Sequence, residues 1–588
     1  MSDTALGITR SILGQPWHWR RASADMASEN LAPDDLVTQL LLARGVPRDD
    51  LDRQRTPTLR GFMPDPSLFR DMDAAAARLA DAVEKGEAVT IFGDYDVDGA
   101  TSAALLVRLL RALGLPAGAY IPDRLMEGYG PSGAALVKIG EAGSKLVVTV
   151  DCGAQAFDAI AEANAAGVEV IVVDHHQCAT SLPAALALVN PNRLDEEPDA
   201  AIHGNLAAVG VAFLLGAALL RTLRARGFFA NRDEPALIDL LDLVALGTVA
   251  DVARLTGFNR ALVTQGLKVM ARRGNIGLAA LMDAARLTKP PGASDMGFAL
   301  GPRINAGGRV GKSDLGVRLL TTGDPQEAAE IAQELNRLNE ERRAIEAAVL
   351  EQAIDASAAC GNAPVAIVAG QGWHPGVIGI VAGRLKERLH RPAIVIALDE
   401  DGVGKGSGRS IGGVDLGTAI LAAKESGLLV AGGGHAMAAG LTVAADKVDA
   451  LGAFLNDRLA ADVERASGDK SLLIDAVLAP RGINPLWCDA IESAGPYGAG
   501  WPAPRVATGP VRIVESGIVG TDHVRLIVSG DDGARFKAVA FRSAETELGQ
   551  TLLNARGRKL WLAGRAKRDD WGSRPAAELH LEDAAWAD

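Results

Sequence analysis

Asp94, Asp96 and Asp98 alternate within Ile91-Phe92-Gly93-Asp94-Tyr95-Asp96-Val97-Asp98-Gly99, where an apolar run gives way to small residues that suit a helix start. Carboxylates this close repel one another unless cations lie among them. Two further apolar runs end alike: Leu146-Val147-Val148-Thr149-Val150 stops at Asp151, and Val170-Ile171-Val172-Val173 stops at Asp174-His175-His176. Asp251 follows a helix-like run that begins at Ile238. If the strand continues through Asp96 and Asp98, both project to one side and reach one site. Four carboxylates (Asp96, Asp98, Asp151 and Asp251) with one or two imidazoles from His175 and His176 suit a pair of divalent cations, Mn²⁺ or Mg²⁺ for the oxygen majority, with Mn²⁺ tolerating the nitrogen. Such a pair, about 3.5 to 4 Å apart, activates a water and stabilises an in-line phosphoryl displacement, so the expected chemistry is phosphoester hydrolysis. Taken alone, the Asp94 to Asp98 stretch reads equally as a calcium loop or a helix N-cap. Two adjacent histidines behind an acid, in a chain with only nine, favour the metal site. Cys152 and Cys178 lack the spacing of a tetrahedral zinc site.

The elements that must position these groups follow from periodicity. Between about 75 and 250, apolar runs at 89–93, 117–121, 146–150, 169–173 and 185–189 alternate with Ala/Leu-rich helical runs such as 100–113 and 156–166. That is the signature of βαβ units on a buried parallel sheet, whose ligands bind beyond the carboxyl ends of the strands. Asp324 to Ala356 reads as one long helix, with Pro325 in its first turn and Ile331, Leu335, Leu338, Ile345 and Val349 near helical spacing. A second α/β unit follows, with strands near 365–368 and 393–397, a helix over 377–390, and glycine-rich turns at 402–413 and 431–440. Beyond about 470, short strands at 511–514, 524–528, 536–541 and 560–563, with Asp531-Asp532-Gly533 as a hairpin turn, suggest a small β-barrel. The fold class is α/β: a parallel-sheet domain, a connecting helix, a second α/β domain and a C-terminal barrel.

At 588 residues the chain should form several domains. An apolar share of 48 % with only 4 % aromatics and 66 glycines indicates packing on Ala, Val and Leu rather than a wall of base-stacking rings. No apolar run reaches a membrane-spanning length without charge or glycine, and the N-terminus lacks a signal-like core. Four scattered cysteines form no disulfide framework, which points to a reducing, cytoplasmic setting. A net charge of −13 opposes bulk coating of nucleic acid. Locally, however, Arg254, Arg260, Lys268, Arg272, Arg273, Arg286, Lys289, Arg303, Arg309, Lys312 and Arg318 face only Asp283, Asp295 and Asp314 between 252 and 318. That segment reads as a polyanion surface or as an ordinary solvated basic face.

Asp94-Tyr95-Asp96-Val97-Asp98-Gly99, Val150-Asp151-Cys152-Gly153, Asp174-His175-His176 and Ala250-Asp251-Val252 together resemble the motifs of the DHH phosphoesterases. The likeness continues through 301–309 (GPRINAGGR), 372–379 (GWHPGVIG), 406–410 (GSGRS) and 432–435 (GGGH), and so is similar to the RecJ-type single-strand-specific exonucleases. Residues 1–60 read as irregular, an arm packed on the main body, and the resemblance implies a DHH catalytic domain (61–322), a connecting helix (323–358), a DHHA1 domain (359–466) and an OB-like barrel (467–588). It implies cleavage of single-stranded DNA from the 5′ end with two Mn²⁺ or Mg²⁺ ions, in DNA recombination and repair. Single-strand DNA-binding protein and a RecQ-type helicase are the protein partners to expect, with no membrane.

By position, the resemblance makes Asp96, Asp98, Asp151, His175 and Asp251 ligands, Asp151 bridging, with Asp94 assisting. His176 would face the scissile phosphate and Asp174 would orient the histidine pair. Arg124, Arg309, Ser407 and Arg409 match positions that seat a 5′ phosphate, and Arg303, Asn305 and His435 lie along the implied strand path. Arginine forks and small hydroxyls suit a terminal phosphate, although any one arginine alone reads as a surface salt bridge. Trp487, Tyr497 and Trp501 in the barrel segment read as core rather than as base-stacking rings. The alternative activity is a DHH enzyme for short oligonucleotides or cyclic dinucleotides; a strand-binding scaffold without catalysis is opposed by the intact ligand set.

Overall fold

The computed structural model describes residues 4–20, 33–123, 127–128, 130–468, 471–569 and 575–587; Arg124 lies outside the described residues. Five parallel strands form the first sheet, in the order Ala117–Tyr120, Val89–Gly93, Leu146–Val150, Glu169–Val173, Ala187–Val189. The central strands are buried on both faces, as an unbroken apolar run requires. Ile91, Val148, Ile171 and Val173 pack into the main core with the helices Val97–Ala112, Ala208–Ala225 and Leu241–Ala250. Phe92, Val147, Val170 and Val172 form a second cluster with Leu136, Ile139 and Ile160.

Ala208–Ala225 is long and apolar enough to cross a membrane, against the expectation from local sequence, yet 72 % of that window is buried inside the protein. It is apolar all round because helices and the sheet enclose it. The long helix runs Pro325–Ser357, with the Asp324 carboxylate accepting the Gln326 amide at its start. It leads to a second sheet in the order Ala431–His435, Ala438–Ala444, Val403–Arg409, Ala393–Leu398, Ala366–Gln371.

Three of those strands occupy the segments where glycine suggested turns. Gly404, Gly406 and Gly408 alternate along Val403–Arg409, and a Cβ there would lie 2.7 Å from Ile396, 2.6 Å from Leu441 and 2.6 Å from Leu416. Glycine is required by the close approach of neighbouring side chains on one face, not by a turn. The opposite face carries Lys405, Ser407 and Arg409.

The C-terminal barrel closes Val506–Val519, His523–Gly530, Arg535–Ala540, Ala576–Trp586 and Lys559–Asp569 into a ring, the last pairing back to the first. The strand Ala576–Trp586 escaped sequence reading because its Ala, Glu and Asp residues are poor strand formers. Tyr497 and Trp501 are internal: the Arg44 and Arg260 guanidinium groups stack over the Trp501 ring at 4.9 and 4.7 Å. Arg260 also donates to the carbonyls of Ala494 and Gly495, at 2.8 and 2.6 Å. The basic segment is therefore not one surface, since Arg260 is fully buried and Arg273 and Arg318 pair with Asp283 and Glu327.

The first sixty residues, expected to be irregular, include the helices Pro33–Ala43 and Leu51–Arg55. Trp17–Trp19 pairs in parallel with Leu472–Ile474, and the buried Asp583 carboxylate of the barrel accepts the Trp17 indole N–H at 3.0 Å. Replacing Trp17 by alanine removes a fully buried ring and that hydrogen bond, so the barrel should lose roughly 3 to 5 kcal/mol of stability, read as a lower denaturation midpoint. An unchanged midpoint would show that the N-terminal segment does not brace the barrel.

Candidate metal centre and its adjoining pocket

The carboxyl ends of three adjacent strands deliver Gly93, Val150 and Val173 to one rim of the first sheet, and the acids and imidazoles follow immediately. The strand does not continue through Asp96 and Asp98, as expected from alternation. Asp96 instead caps the helix Val97–Ala112, its Oδ1 accepting the amides of Asp98 (2.9 Å) and Gly99 (3.1 Å). Asp98 lies in the first helical turn. Its two oxygens accept the amides of Ala208 (2.7 Å) and Val209 (2.9 Å), at the start of Ala208–Ala225. Helix N-termini carry partial positive charge, so both acids are held where anions are favoured.

Asp151 has a left-handed backbone, φ 61°, and its amide donates to the Val173 carbonyl at 3.0 Å. Asp251 caps the C-terminus of Leu241–Ala250, and the next residue, Val252, is held at φ 60°. A β-branched residue in that conformation is strained, a cost that recurs at functional sites.

Asp174 organises the histidine pair. Its Oδ1 accepts the amides of His175 (2.7 Å) and His176 (3.1 Å) and the His176 Nδ1–H (2.7 Å), while Oδ2 accepts the Ala154 amide (3.0 Å). Burial alone would push the Asp174 carboxyl up, but these bonds, led by that from His176, bring it down to about 2. The same pairing overcomes burial at His176 and raises it to about 9. Asn190 holds this loop from behind, its Nδ2 donating to the His176 carbonyl at 2.8 Å. Sequence reading missed Asn190, which carries no chemistry of its own.

His175 is the converse case. Its Nδ1 lies 3.1 Å from the Leu206 carbonyl, which only accepts, so Nδ1 carries the proton. Burial, followed by repulsion from His176, lowers this imidazole to about 4. The neutral ring then points its unprotonated Nε2 at Asp151 Oδ1, 3.1 Å away, and at Asp98 Oδ2, 3.9 Å away. His175 Nε2 and Asp151 Oδ1, 3.1 Å apart, are placed to take a shared cation in place of a proton.

The ligand atoms fall into overlapping triads, Asp94–Asp96–Asp151, Asp98–His175–Asp251 and Asp151–His175–His176, each within 4.8 Å. Burial, then mutual repulsion, pushes the carboxyls of Asp98 and Asp151 well above the usual range and Asp251 up to about 7. The donor set, oxygen-rich with one neutral imidazole, fits two divalent cations of the Mn²⁺ or Mg²⁺ type.

A pocket of about 470 Å³ lies between the two α/β halves, lined by Arg309, Gly376, Lys405, Ser407, Arg409 and Gly432 among others. The Arg409 guanidinium donates to Ser407 Oγ at 3.1 Å, and Arg309 donates to the Gly376 carbonyl at 2.8 Å. Two glycines couple pocket and metal loop: a Cβ on Gly308 would lie 2.8 Å from the Tyr95 carbonyl, and one on Gly376 would lie 2.6 Å from that of Arg309. Asn305 is half-buried one turn before Arg309 on the helix Gly301–Val310. His435 is exposed at the end of Ala431–His435, past the lining residues. Arg303 is not brought to the pocket, since it donates to Asn336 on the long helix (3.0 Å) and to the Ala299 carbonyl (2.7 Å). Lys405 is a lining residue that sequence reading missed, although its alternation with Ser407 and Arg409 is the signal for it.

The family model of the DHH family, N-terminal domain, matches residues 88–248, the DHHA1 domain 362–461 and the RecJ OB domain 474–583. The single-stranded-DNA-specific exonuclease RecJ of Dickeya dadantii (strain 3937) is 38 % identical over 527 residues, 87 % of this chain and 89 % of the relative. This chain belongs to the RecJ family. The crystal structure of RecJ in complex with Mn²⁺ from Thermus thermophilus superimposes with a TM-score of 0.77 at 29 % identity, covering 97 % of this chain and 80 % of that one. RecJ in complex with Mg²⁺ from the same organism gives a TM-score of 0.71 at 29 % identity, with 96 % and 76 % covered. The strand-end rim described above belongs to the segment matched by the DHH model, and the Lys405–Ser407–Arg409 face to that matched by DHHA1.

Without cations, Asp251 binds its proton more tightly in the folded than in the unfolded chain. The stability this provides is present below pH about 4 and lost as pH rises towards about 7. Asp98 and Asp151, raised in the same direction, act with Asp251 and outweigh the opposite contribution of His175, so the metal-free protein should become less stable from pH 4 to 7. Mn²⁺ at a hundredfold excess over its dissociation constant should restore about 2.7 kcal/mol at pH 7, read as a higher unfolding temperature. A metal-free stability that climbs over this range, or is indifferent to Mn²⁺, would contradict the geometry.

Proposed function

We propose that this chain hydrolyses phosphodiester bonds of single-stranded DNA, working from the 5′ end, in DNA recombination and repair. The observation that carries the reading is the adjacency of a carboxylate–imidazole centre fit for two cations and a pocket bearing two arginines and a serine. The names of its relatives support the substrate.

Two divalent cations, when bound among Asp94, Asp96, Asp98, Asp151, His175 and Asp251, supply an activated water and offset the charge of the displaced phosphoryl group. The protein's own groups do the rest. Leu206 holds His175 in the tautomer that offers Nε2. Asp151, shared between two ligand triads, would help hold both ions. Asp174 holds the His176 ring through its Nδ1–H, which orients the imidazole towards a phosphate oxygen. Arg309 and Arg409 clamp a terminal phosphate with the Ser407 hydroxyl, and glycine at 406, 432 and 376 lets backbone close in on it. A pocket beside the metal centre that ends the strand makes the enzyme an exonuclease, and a phosphate-seeking pocket sets its polarity.

The division into arm, DHH domain (61–322), connecting helix (323–358), DHHA1 domain (359–466) and barrel (467–588) assigns the metals and Arg309 to the second part and Ser407 and Arg409 to the fourth. A single-strand DNA-binding protein and a RecQ-type helicase are the partners this role calls for, in the cytoplasm.

Asp151→Ala should reduce hydrolysis of a long 5′-labelled strand with Mn²⁺ by at least about 10³-fold, a loss in line with removing a central electrostatic group, while strand binding survives. Unchanged turnover would refute the metal assignment. Arg409→Ala should raise KM for a 5′-phosphorylated strand and erase its advantage over a 5′-hydroxyl strand. Preference of the wild type for a dinucleotide over the long strand would point to the small-substrate alternative.

A further inference from the structure

Asn259 is only 1 % exposed, lies in the first turn of the helix Gly257–Met270, and makes its side-chain hydrogen bonds outside that helix. Its Nδ2 donates to the Asn205 carbonyl at 2.7 Å and to the Arg254 carbonyl at 3.1 Å. Its Oδ1 meets no donor among the described residues. A buried amide oxygen without a partner is unfavourable, so packing alone does not account for asparagine here. The two donations do, and they also fix which way the carboxamide faces, because carbonyls only accept.

Those carbonyls belong to the two segments that set the triad Asp98–His175–Asp251. Asn205 precedes Leu206, whose carbonyl lies at His175 Nδ1, and the amides of Ala208 and Val209 just beyond hold both oxygens of Asp98. Arg254 follows Asp251 across Val252, held at φ 60°. A strained residue persists only where its surroundings hold it, and the bond to the Arg254 carbonyl holds the chain on the far side. A parallel tie runs from Asn205 Nδ2 to Thr256 Oγ1 at 3.3 Å. One amino group thus joins the backbone behind all three ligands. The triad Asp94–Asp96–Asp151 is set differently, Asp96 by its capping bonds to Asp98 and Gly99 and Asp151 by its amide on the Val173 carbonyl.

The structure assigns to Asn259 the role of a positioning residue for one of the two cations. It fixes the spacing of His175 and Asp251, whose Nδ1 and Oδ2 lie 3.8 Å apart, and it acts only through the backbone behind them. The inference rests on the two-cation reading and adds to it that the two ions depend on different parts of the fold. The ion held by Asp98, His175 and Asp251 answers to Asn259, and its neighbour does not.

The test is Mn²⁺ titration of the metal-free full chain, the free ion read by its electron paramagnetic resonance, for wild type, Asn259→Asp, Asn259→Ala and Asn275→Ala. Asn259→Asp keeps the shape and replaces the donor with an acceptor. Asn259→Ala removes the donor without burying a charge, so a fold lost in the first variant leaves the second to be read. Asn275, a buried asparagine that caps Ile276–Ala284 in the same domain, is the control for general loosening. Wild type should bind two ions. In both Asn259 variants one ion should bind roughly 10- to 100-fold more weakly, the loss typical when a group supporting a metal ligand is removed, and the other should keep its affinity. Their kcat should fall at low Mn²⁺ and recover as Mn²⁺ is raised, with KM for the strand little changed. Asn275→Ala should lower the unfolding temperature and leave both affinities intact. Two unchanged affinities in Asn259→Ala, equal weakening of both ions, or the same loss in Asn275→Ala would overturn the inference. A wild type that binds two ions yet leaves the strand uncut would instead defeat the nuclease reading itself.

Discussion

Repulsion among buried carboxylates is the constraint on which the rest of this structure depends. Asp98 and Asp151 are almost wholly shielded from water, with Asp94, Asp96 and Asp251 close by, and nothing in a low-dielectric interior makes such a cluster favourable by itself. The fold answers partly with fixed dipoles. Two helix N-termini point at Asp96 and Asp98, and backbone amides surround Asp174. These donors lower the cost without removing it, because the carboxyls of Asp98, Asp151 and Asp251 remain raised. The residual cost is what a pair of divalent cations offsets, so cation affinity is built from folding energy.

The two histidines show how neighbours divide labour. They adjoin in sequence and their rings lie 4.6 Å apart, yet one is driven towards neutrality and the other towards charge. A carbonyl beside His175 Nδ1 and a carboxylate beside His176 Nδ1 account for the difference. Acid and base roles within one motif are thus assigned by the second partner of each ring, not by the ring itself.

The residues that gather at the strand-end rim were legible because chemistry-bearing types at strand ends are rare and repeated. Asp151 after an apolar run, and Asp174-His175-His176 after another, declare a shared rim once a parallel sheet is assumed. The path of the chain between Asp94 and Asp98 was not legible, since an alternating trio suits a strand as well as a cap. Only the amides of Asp98 and Gly99 decide for the helix. Glycine misled at 402–413 and 431–440, where the reason for glycine is a neighbour's side chain from distant sequence. Arg303 and Arg309 look alike in sequence, and helix phase alone sends one to the long helix and the other to the pocket.

Paired cations within this rim are what every functional role described above requires. Anomalous diffraction from Mn²⁺-soaked crystals tests for them most directly. Two peaks roughly 3.5 to 4 Å apart, the usual two-metal separation, should appear among Asp96, Asp98, Asp151, His175 and Asp251, with Asp151 touching both. A single peak, or density confined to surface carboxylates, would contradict it.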